Sequence, residues 1–181
     1  MSDDQPQPGA RTVALAAFDT ARDRFLDAFA AVPGEALGYL PPGDDYAIGA
    51  LLLHLQDTMH HYLAVLDLVQ AADFGPLDLT QTAEVADSEA RHAKTMTARP
   101  TPADRQRLLA ELAALHETVR QRALGLDAAT FAGQAPVVYS PGGTPYPTGC
   151  GDILGWLADH YDEHTPQVGQ LLASWRAVPY A

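Results

Sequence analysis

The chain has 181 residues, with 11 basic against 23 acidic side chains and a formal net charge of −12. This acidic balance opposes binding to nucleic acid and to anionic membrane surfaces, and no apolar run approaches the roughly 18 residues of a membrane span. The length favours a single domain over residues 1–181, with a polar, flexible segment at residues 1–10 that does not resemble a secretion signal. We therefore expect a cytoplasmic protein with no membrane association.

Hydrophobic periodicity predicts four long helices and no clear strand, which indicates an all-α four-helix bundle. The predicted helices run from Thr12 to Ala31, from just after Asp44 or Asp45 to Ala72, from Thr101 to Gly125, and from between Gly149 and Asp152 to Trp175 or Arg176. Either aspartate can cap the second helix, and Thr101-Pro102 is typical of a helix start.

The connections between these helices are unequal in length. The segment Asp73–Pro100 is long for a plain turn, so we expect a crossover there, with a short extra helix within Thr80–Thr97. Prolines and glycines in Gln134–Gly149 predict an ordered loop, with Val137–Tyr139 extended, that can line the mouth of a pocket. Pro166 predicts a local kink in the fourth helix.

Three histidines fall on inward faces of two predicted helices. His160 and His164 are four residues apart, so they project from one helix face. His54 lies on the inward face of the second helix. Buried imidazoles need partners for both ring nitrogens, and two of them one turn apart are hard to satisfy without a shared acceptor or a metal. The inward stripes also include Ala47, Leu51, Thr58, His61, Val65 and Leu68 in the second helix, and Ile153, Leu157, Val168, Leu171 and Trp175 in the fourth.

The other histidines, the single cysteine and two neighbours of His60 have less specific interpretations. Gln56, Met59 and His60 are expected to point away from the inward face of the second helix. His60, His92 and His116 are interpreted as solvated surface histidines. Cys150, at the start of the fourth helix, is more often inert than reactive in such a position. A lone cysteine also excludes an intramolecular disulfide.

These motifs together resemble a known family. His54 within Ala50–Leu55, the long crossover, and His160 and His164 within Asp159–Gln167 resemble the DinB-like family of metal-binding four-helix bundles, in the DinB and maleylpyruvate-isomerase-like superfamily. The resemblance extends from about Leu15 to Trp175. It implies an up-down-down-up course, a divalent metal held by His54, His160 and His164, and often a homodimer.

A three-imidazole site leaves a coordination position for water or substrate, as in metal centres that activate a ligand. Imidazole suits zinc, nickel, iron and copper, and we expect zinc or nickel first, with iron or manganese as alternatives. His61 and Tyr161 are expected to lie around the ligands or the pocket, although His61 has the alternative of a hydrogen bond within the bundle.

Three functions remain open from the sequence. In the first, metal-activated water attacks an ester or amide of a small molecule, and Glu163 or Asp57 relays a proton. In the second, which the resemblance supports because some relatives are thiol-dependent transferases, the metal binds a low-molecular-weight thiol and the protein transfers it. In the third, the protein is a non-catalytic metal-binding or stress-associated interaction protein.

Overall fold

The computed structural model describes residues 9–178, so eight of the ten positions in the predicted flexible segment lie outside the described residues. Within 9–178, the six α-helices are α1 (Ala10–Ala30), α2 (Ala50–Ala71), α3 (Ala83–Thr97), α4 (Arg105–Gly125), α5 (Ala128–Ala132) and α6 (Cys150–Arg176). Three short strands are β1 (Leu77–Asp78), β2 (Gln134–Val138) and β3 (Tyr146–Gly149). Within the same residues, no helix combines the length and the hydrophobicity that a bilayer crossing requires.

The four predicted long helices correspond to α1, α2, α4 and α6, which confirms the all-α class. Thr101 starts a 3-10 turn, Pro102–Asp104, that leads directly into α4 at Arg105, and the Thr101 amide donates to Asp104 across a 2.9 Å hydrogen bond. At the start of α6, Asp152 accepts a 2.9 Å hydrogen bond from the Gly149 amide. Each interaction satisfies an amide that a helix start would otherwise leave without a partner.

The predicted start of α2 is wrong. The helix begins at Ala50, several residues after Asp44 and Asp45, and Gly49 precedes it without a side-chain cap. The reason is that the preceding segment folds back on itself, since the Gly49 amide donates to the Leu37 carbonyl at 2.8 Å. The Ile48 and Gly49 amides donate to Tyr39 and Leu37, so they cannot make the i→i−4 hydrogen bonds of a helix begun at Asp44 or Asp45, and the two aspartates remain in the loop.

α1 packs most extensively on α6, and the two helices run in the same direction. Near their starts, the Arg11 guanidinium lies 5.1 Å from the centre of the Phe131 ring, which also lies beside Gly151. Further along both helices, Arg24 forms a 2.6 Å ion pair with Asp162. α1 and α6 therefore pack side by side in the same direction.

α2 is buried on more than one face because it packs against α3, α4 and α6. Gln56 and Met59 are buried, which corrects the expectation that they point away from the core. Gln56 donates a 2.9 Å hydrogen bond to the Leu108 carbonyl of α4, and Arg122 further along α4 bonds to Gln70 at 3.2 Å. These contacts show that α2 and α4 run in the same direction.

His116 is fully buried, so its interpretation as a surface histidine is wrong. Its ring stacks on Phe18 of α1 with centroids 3.9 Å apart, and its Nε2 lies 2.9 Å from Asp19. Burial lowers the pKa of His116 despite the opposing effect of Asp19. The charged partner on α1 lies far away in sequence, so the pattern of α4 alone could not reveal it. His60 and His92 are exposed, as predicted.

A small three-stranded sheet was not expected from the sequence. β1 pairs with β2 in parallel, with Leu77 opposite Val137, and β2 pairs with β3 in antiparallel register. The strands are too short, and too rich in proline, to produce a readable alternation. The sheet joins the crossover after α2 to the segment that enters α6. α6 then continues through Pro166 to Arg176 as one helix.

Gly149 is required where β3 meets α6. A Cβ atom at this position would overlap the carbonyl oxygen of Gly133, whereas a Cβ at Gly155, within α6, meets nothing within 4 Å. We expect Gly149→Ala to lower the free energy of unfolding by about 1–3 kcal/mol through overpacking. The matched Gly155→Ala variant should instead raise it by about 0.5–1 kcal/mol, because alanine favours the helix. Urea unfolding measures both, and equal effects of the two substitutions would contradict the close approach.

Candidate metal centre

α2 and α6 bring three imidazoles together. The His54 ring centroid lies 4.7 Å from that of His160 and 4.8 Å from that of His164, and the two rings of α6 are 4.5 Å apart. One ring nitrogen from each histidine lies within 4.8 Å of the other two, close enough to hold a metal ion. The four-residue spacing aligns His160 with His164, while the packing of α2 against α6 adds His54.

Two of these rings have a buried nitrogen without a partner. His54 Nδ1 and His164 Nε2 are buried and make no hydrogen bond to any part of residues 9–178. The other nitrogen of His164, Nδ1, lies 2.6 Å from Gln167 Oε1. Since an amide oxygen only accepts, Nδ1 carries the proton and Nε2 carries the lone pair. The donor set therefore fits a cation, which would satisfy lone pairs that otherwise cost free energy.

Thr58 links His160 to the α2 backbone. Its hydroxyl lies 3.0 Å from the His54 carbonyl and 3.1 Å from His160 Nε2. The hydroxyl donates to this carbonyl and is also within hydrogen-bond distance of His160 Nε2. His160 Nδ1 lies 3.6 Å from the Glu163 carboxylate. Thr58 thus orients an imidazole of the neighbouring helix.

The environment keeps two of the imidazoles neutral. Burial, with the neighbouring histidines, lowers the pKa of His54 from 6.5 to about 3. Burial and His164 lower the pKa of His160 to about 4, against a smaller opposing effect of Glu163. Neutral imidazole is the form that binds a metal ion, so both residues need no deprotonation at neutral pH.

Tyr46 and His92 border the cluster, and sequence reasoning identified neither as part of the site. The buried Tyr46 ring stacks on His54 with centroids 4.5 Å apart, and its hydroxyl lies 3.3 Å from His92 Nδ1. Burial, Asp45 and Asp57 raise the pKa of Tyr46 to about 12, so the phenol stays protonated. Tyr46 precedes α2 in a loop, where no helical periodicity could have indicated its position.

A cavity of about 480 Å³ opens beside the three histidines. Its lining contains three carboxylates, and no lysine or arginine occurs among the lining residues in the described part of the chain. The lining residues are Asp44, Asp45, Tyr46, His54, His160, Glu163, His164, Pro166, Gln167 and Gln170. The cavity therefore favours neutral or cationic ligands over anions.

The two acids considered as proton relays occupy different positions. Glu163 lines the cavity, and its side chain is 74% exposed. Asp57 accepts a hydrogen bond from Thr95 of α3 and is not among the cavity-lining residues. Glu163 is therefore the better placed of the two to exchange a proton with a bound molecule.

His61 and Tyr161, expected around the ligands or pocket, lie elsewhere in the bundle. His61 Nδ1 lies 3.0 Å from Glu84, which also pairs with Arg91 at 2.6 Å, so His61 links α2 to α3. This geometry matches the alternative of a hydrogen bond within the bundle. Tyr161 is buried against α1, with its ring centroid 5.9 Å from that of Phe18. One residue after His160, its side chain points to a different face of α6.

Cys150 is buried at the start of α6. Burial raises its pKa to about 11, against smaller opposing effects of two arginines. At neutral pH the side chain is therefore a thiol, not the thiolate that acts as a nucleophile. This agrees with the expectation that Cys150 is inert.

Fold and site together define a helical bundle with a three-histidine cluster able to hold a divalent metal. The sequence profile of the DinB superfamily matches residues 17–168, a range that contains all three histidines. The chain belongs to the DinB superfamily, as the resemblance indicated. No curated protein matches the chain.

The lowered pKa values of His54 and His160 predict a pH dependence of the metal-free protein. Both folded-state values, about 3 and about 4, lie below 6.5. Between pH 4 and 6.5 the unfolded chain binds more protons, so the free energy of unfolding should rise with pH across that range. Urea unfolding in the presence of a chelator measures this slope. The double variant His54→Asn/His160→Asn should show a shallower slope, with exposed His60→Asn as control; an unchanged slope in the double variant contradicts the assignment.

Proposed function

We propose that the protein is a metal-dependent enzyme that hydrolyses a small molecule, with His54, His160 and His164 holding one divalent ion. The observation that carries this proposal is the pair of unpartnered nitrogens, His54 Nδ1 and His164 Nε2, beside a cavity. Since a purely structural metal site has its coordination closed by protein ligands, three imidazoles at a cavity favour a catalytic site.

Zinc or nickel is the proposed metal, with iron or manganese as alternatives, because imidazole ligands suit several divalent ions. When bound, such an ion acts as a Lewis acid that polarises a carbonyl oxygen and makes water a stronger acid. The protein residues supply the positioning. Gln167 fixes the His164 ring through the 2.6 Å hydrogen bond, and Thr58 fixes His160.

Two further side chains are suited to handle protons in the cavity. Glu163 is exposed to solvent beside His160, so it can accept a proton from attacking water and release it to solvent. The protonated Tyr46 hydroxyl can donate a hydrogen bond to a substrate oxygen, since its only neighbour within hydrogen-bond distance in residues 9–178 is His92, at 3.3 Å. Both residues line the cavity with the histidines.

The charge of the cavity supports one of the two enzymatic alternatives. Asp44, Asp45 and Glu163 line it, and no lysine or arginine of the described residues offsets them there. A low-molecular-weight thiol that carries carboxylates would meet this negative field, whereas a neutral or cationic ester or amide would not. We therefore favour hydrolysis over thiol transfer.

The metal assignment predicts one divalent ion per chain in protein purified without an affinity tag. His54→Ala, His160→Ala and His164→Ala should each lose stoichiometric metal, because each removes one of three protein ligands. Elemental analysis measures the content, and circular dichroism verifies folding. His60→Ala, on the exposed side of the same helix as His54, should retain the metal. Wild-type protein without stoichiometric metal, or histidine variants that retain it, would contradict the site.

Hydrolysis predicts turnover of model esters or amides that a chelator abolishes and added metal restores. Glu163→Gln should lower kcat by roughly a hundredfold while metal content stays at the wild-type level, because a general base contributes about 10²–10⁴-fold. Gln170→Ala, also at the cavity, is the matched control. Activity seen only with an added low-molecular-weight thiol would indicate thiol transfer instead. Stable metal binding without either activity would indicate a non-catalytic protein.

A further inference from the structure

A second cavity, of about 350 Å³, lies near the histidine cluster, and aromatic rings form most of its wall. We call it the aromatic cup. It is formed by Tyr62, Tyr139, Tyr146 and Trp156, together with small residues of the β2–β3 connection. Neither the proposed metal site nor the proposed hydrolysis uses these four side chains.

Trp156 contacts each of the three tyrosines at the cup. Its ring centroid lies 5.5 Å from that of Tyr62, 6.2 Å from that of Tyr139 and 5.7 Å from that of Tyr146. The ring planes meet at 43°, 83° and 56° respectively, so none of these pairs is a parallel stack. Inclined rings of this kind pack partly edge to face, and all four aromatic side chains also line the one cavity.

The β2–β3 hairpin supplies two of the tyrosines of the cup. Tyr146 pairs with Val137 across the two strands, and Tyr139 lies two residues beyond Val137, so both tyrosines occupy one face of the hairpin. The turn between them is closed by a 2.9 Å hydrogen bond from the Gly143 amide to the Ser140 carbonyl. Gly142 adopts a φ of 71° in this turn, a conformation that favours glycine.

Negative charge lies on α6 beside the cup. No lysine or arginine occurs among its lining residues in the described chain. On α6, Asp152 lies four residues before Trp156 and Asp159 lies three residues after it, so both carboxylates share its side of the helix. Burial raises the pKa of Tyr139 to about 12, and Asp152 adds to that effect. Tyr146, at the rim, is 56% exposed, so a ligand bound in the cup would cover part of its ring.

We propose that the aromatic cup binds a compact organic cation, such as a quaternary ammonium group. A cation about 4.5 Å above two ring faces that meet near a right angle requires ring centroids about 6 Å apart. Tyr139 and Trp156 agree with that requirement, since their ring planes meet at 83° with centroids 6.2 Å apart. An uncharged group of the same shape would also bury apolar surface in the cup, but it would lack the electrostatic attraction to the ring faces and the neighbouring carboxylates.

The cup and the histidine cluster share one face of α6, because Trp156 and His160 are four residues apart. One such step is about 6 Å along a helix. On α2, Tyr62 lies the same distance from Thr58, which contacts His160. A substrate with its cationic end in the cup could therefore present an ester or amide to the histidines. This link rests on the proposed function, whereas cation binding by the cup does not.

Isothermal titration calorimetry with choline and with its uncharged carbon isostere, dimethylbutanol, tests the proposal. Choline should bind roughly tenfold more tightly than dimethylbutanol, reflecting the cation–π contribution. The result should be the same with metal-loaded and chelator-treated protein, so loss of the proposed metal function would leave it unchanged. Absence of choline binding, or equal affinity for the two probes, overturns the proposal.

Variants at the rim separate the ring faces from general shape. Tyr146→Leu should weaken choline binding roughly tenfold, because it removes one π face while keeping an apolar side chain. Tyr146→Phe retains the ring and should keep wild-type affinity. Since Tyr146 is exposed, neither substitution should alter the thermal unfolding midpoint. Trp156→Leu, at the centre of the cup, should abolish measurable binding. Unchanged affinity in Tyr146→Leu overturns the assignment.

Discussion

The rest of this structure depends on the convergence of three imidazoles between α2 and α6. Two buried nitrogens, on His54 and His164, have no protein partner in the described chain. Leaving a buried polar group unpaired costs about 1–3 kcal/mol, so the surrounding fold must stabilise this arrangement. The same unpartnered lone pairs make the site receptive to a cation. The unpaired nitrogens therefore lower the free energy of unfolding of the metal-free protein while they favour cation binding, a combination that is common at binding sites.

The scaffold offsets this cost by restraining both helices from several sides. α1 covers α6 along its length, while α4 packs on α2 through the buried Gln56. The His61–Glu84–Arg91 network ties α2 to α3, and the small sheet joins the crossover to the start of α6. Each restraint acts on a helix that carries a histidine of the cluster. The ring positions are thus fixed by contacts distant from the site itself, which is the condition for a preorganised metal centre.

The histidine cavity and the aromatic cup, both lined by side chains of α2 and α6, have a similar electrostatic environment. Carboxylates line the histidine cavity and flank the aromatic cup, and neither cavity has a lysine or arginine in its lining among residues 9–178. The ring faces of the cup add further attraction for positive charge. Burial meanwhile keeps His54 and His160 neutral, so the cluster does not repel a metal ion. These features support the two proposals, a metal ion held by lone pairs at the histidines and an organic cation held by ring faces at the cup.

The amino-acid sequence by itself determined the four long helices, the inward positions of the three histidines and the family. These features are local, because helical periodicity and four-residue spacing appear within one segment. The tertiary structure alone decided which side chains surround the histidines. Tyr46 reaches His54 from a loop, and His92 arrives from the crossover. The surroundings of Tyr161 and His116 could not be predicted for the same reason, because the residues that they contact, Phe18 and Asp19, lie on α1.

The start of α2 and the three strands also required the tertiary structure. The Gly49 amide is used by a turn, and the short strands are stabilised by pairing between distant segments. Periodicity reports which face of a helix is buried, but it carries no information about which other segment covers that face. That information arises only when α2 and α6 pack together, and it is this packing that turns three separate histidines into one site.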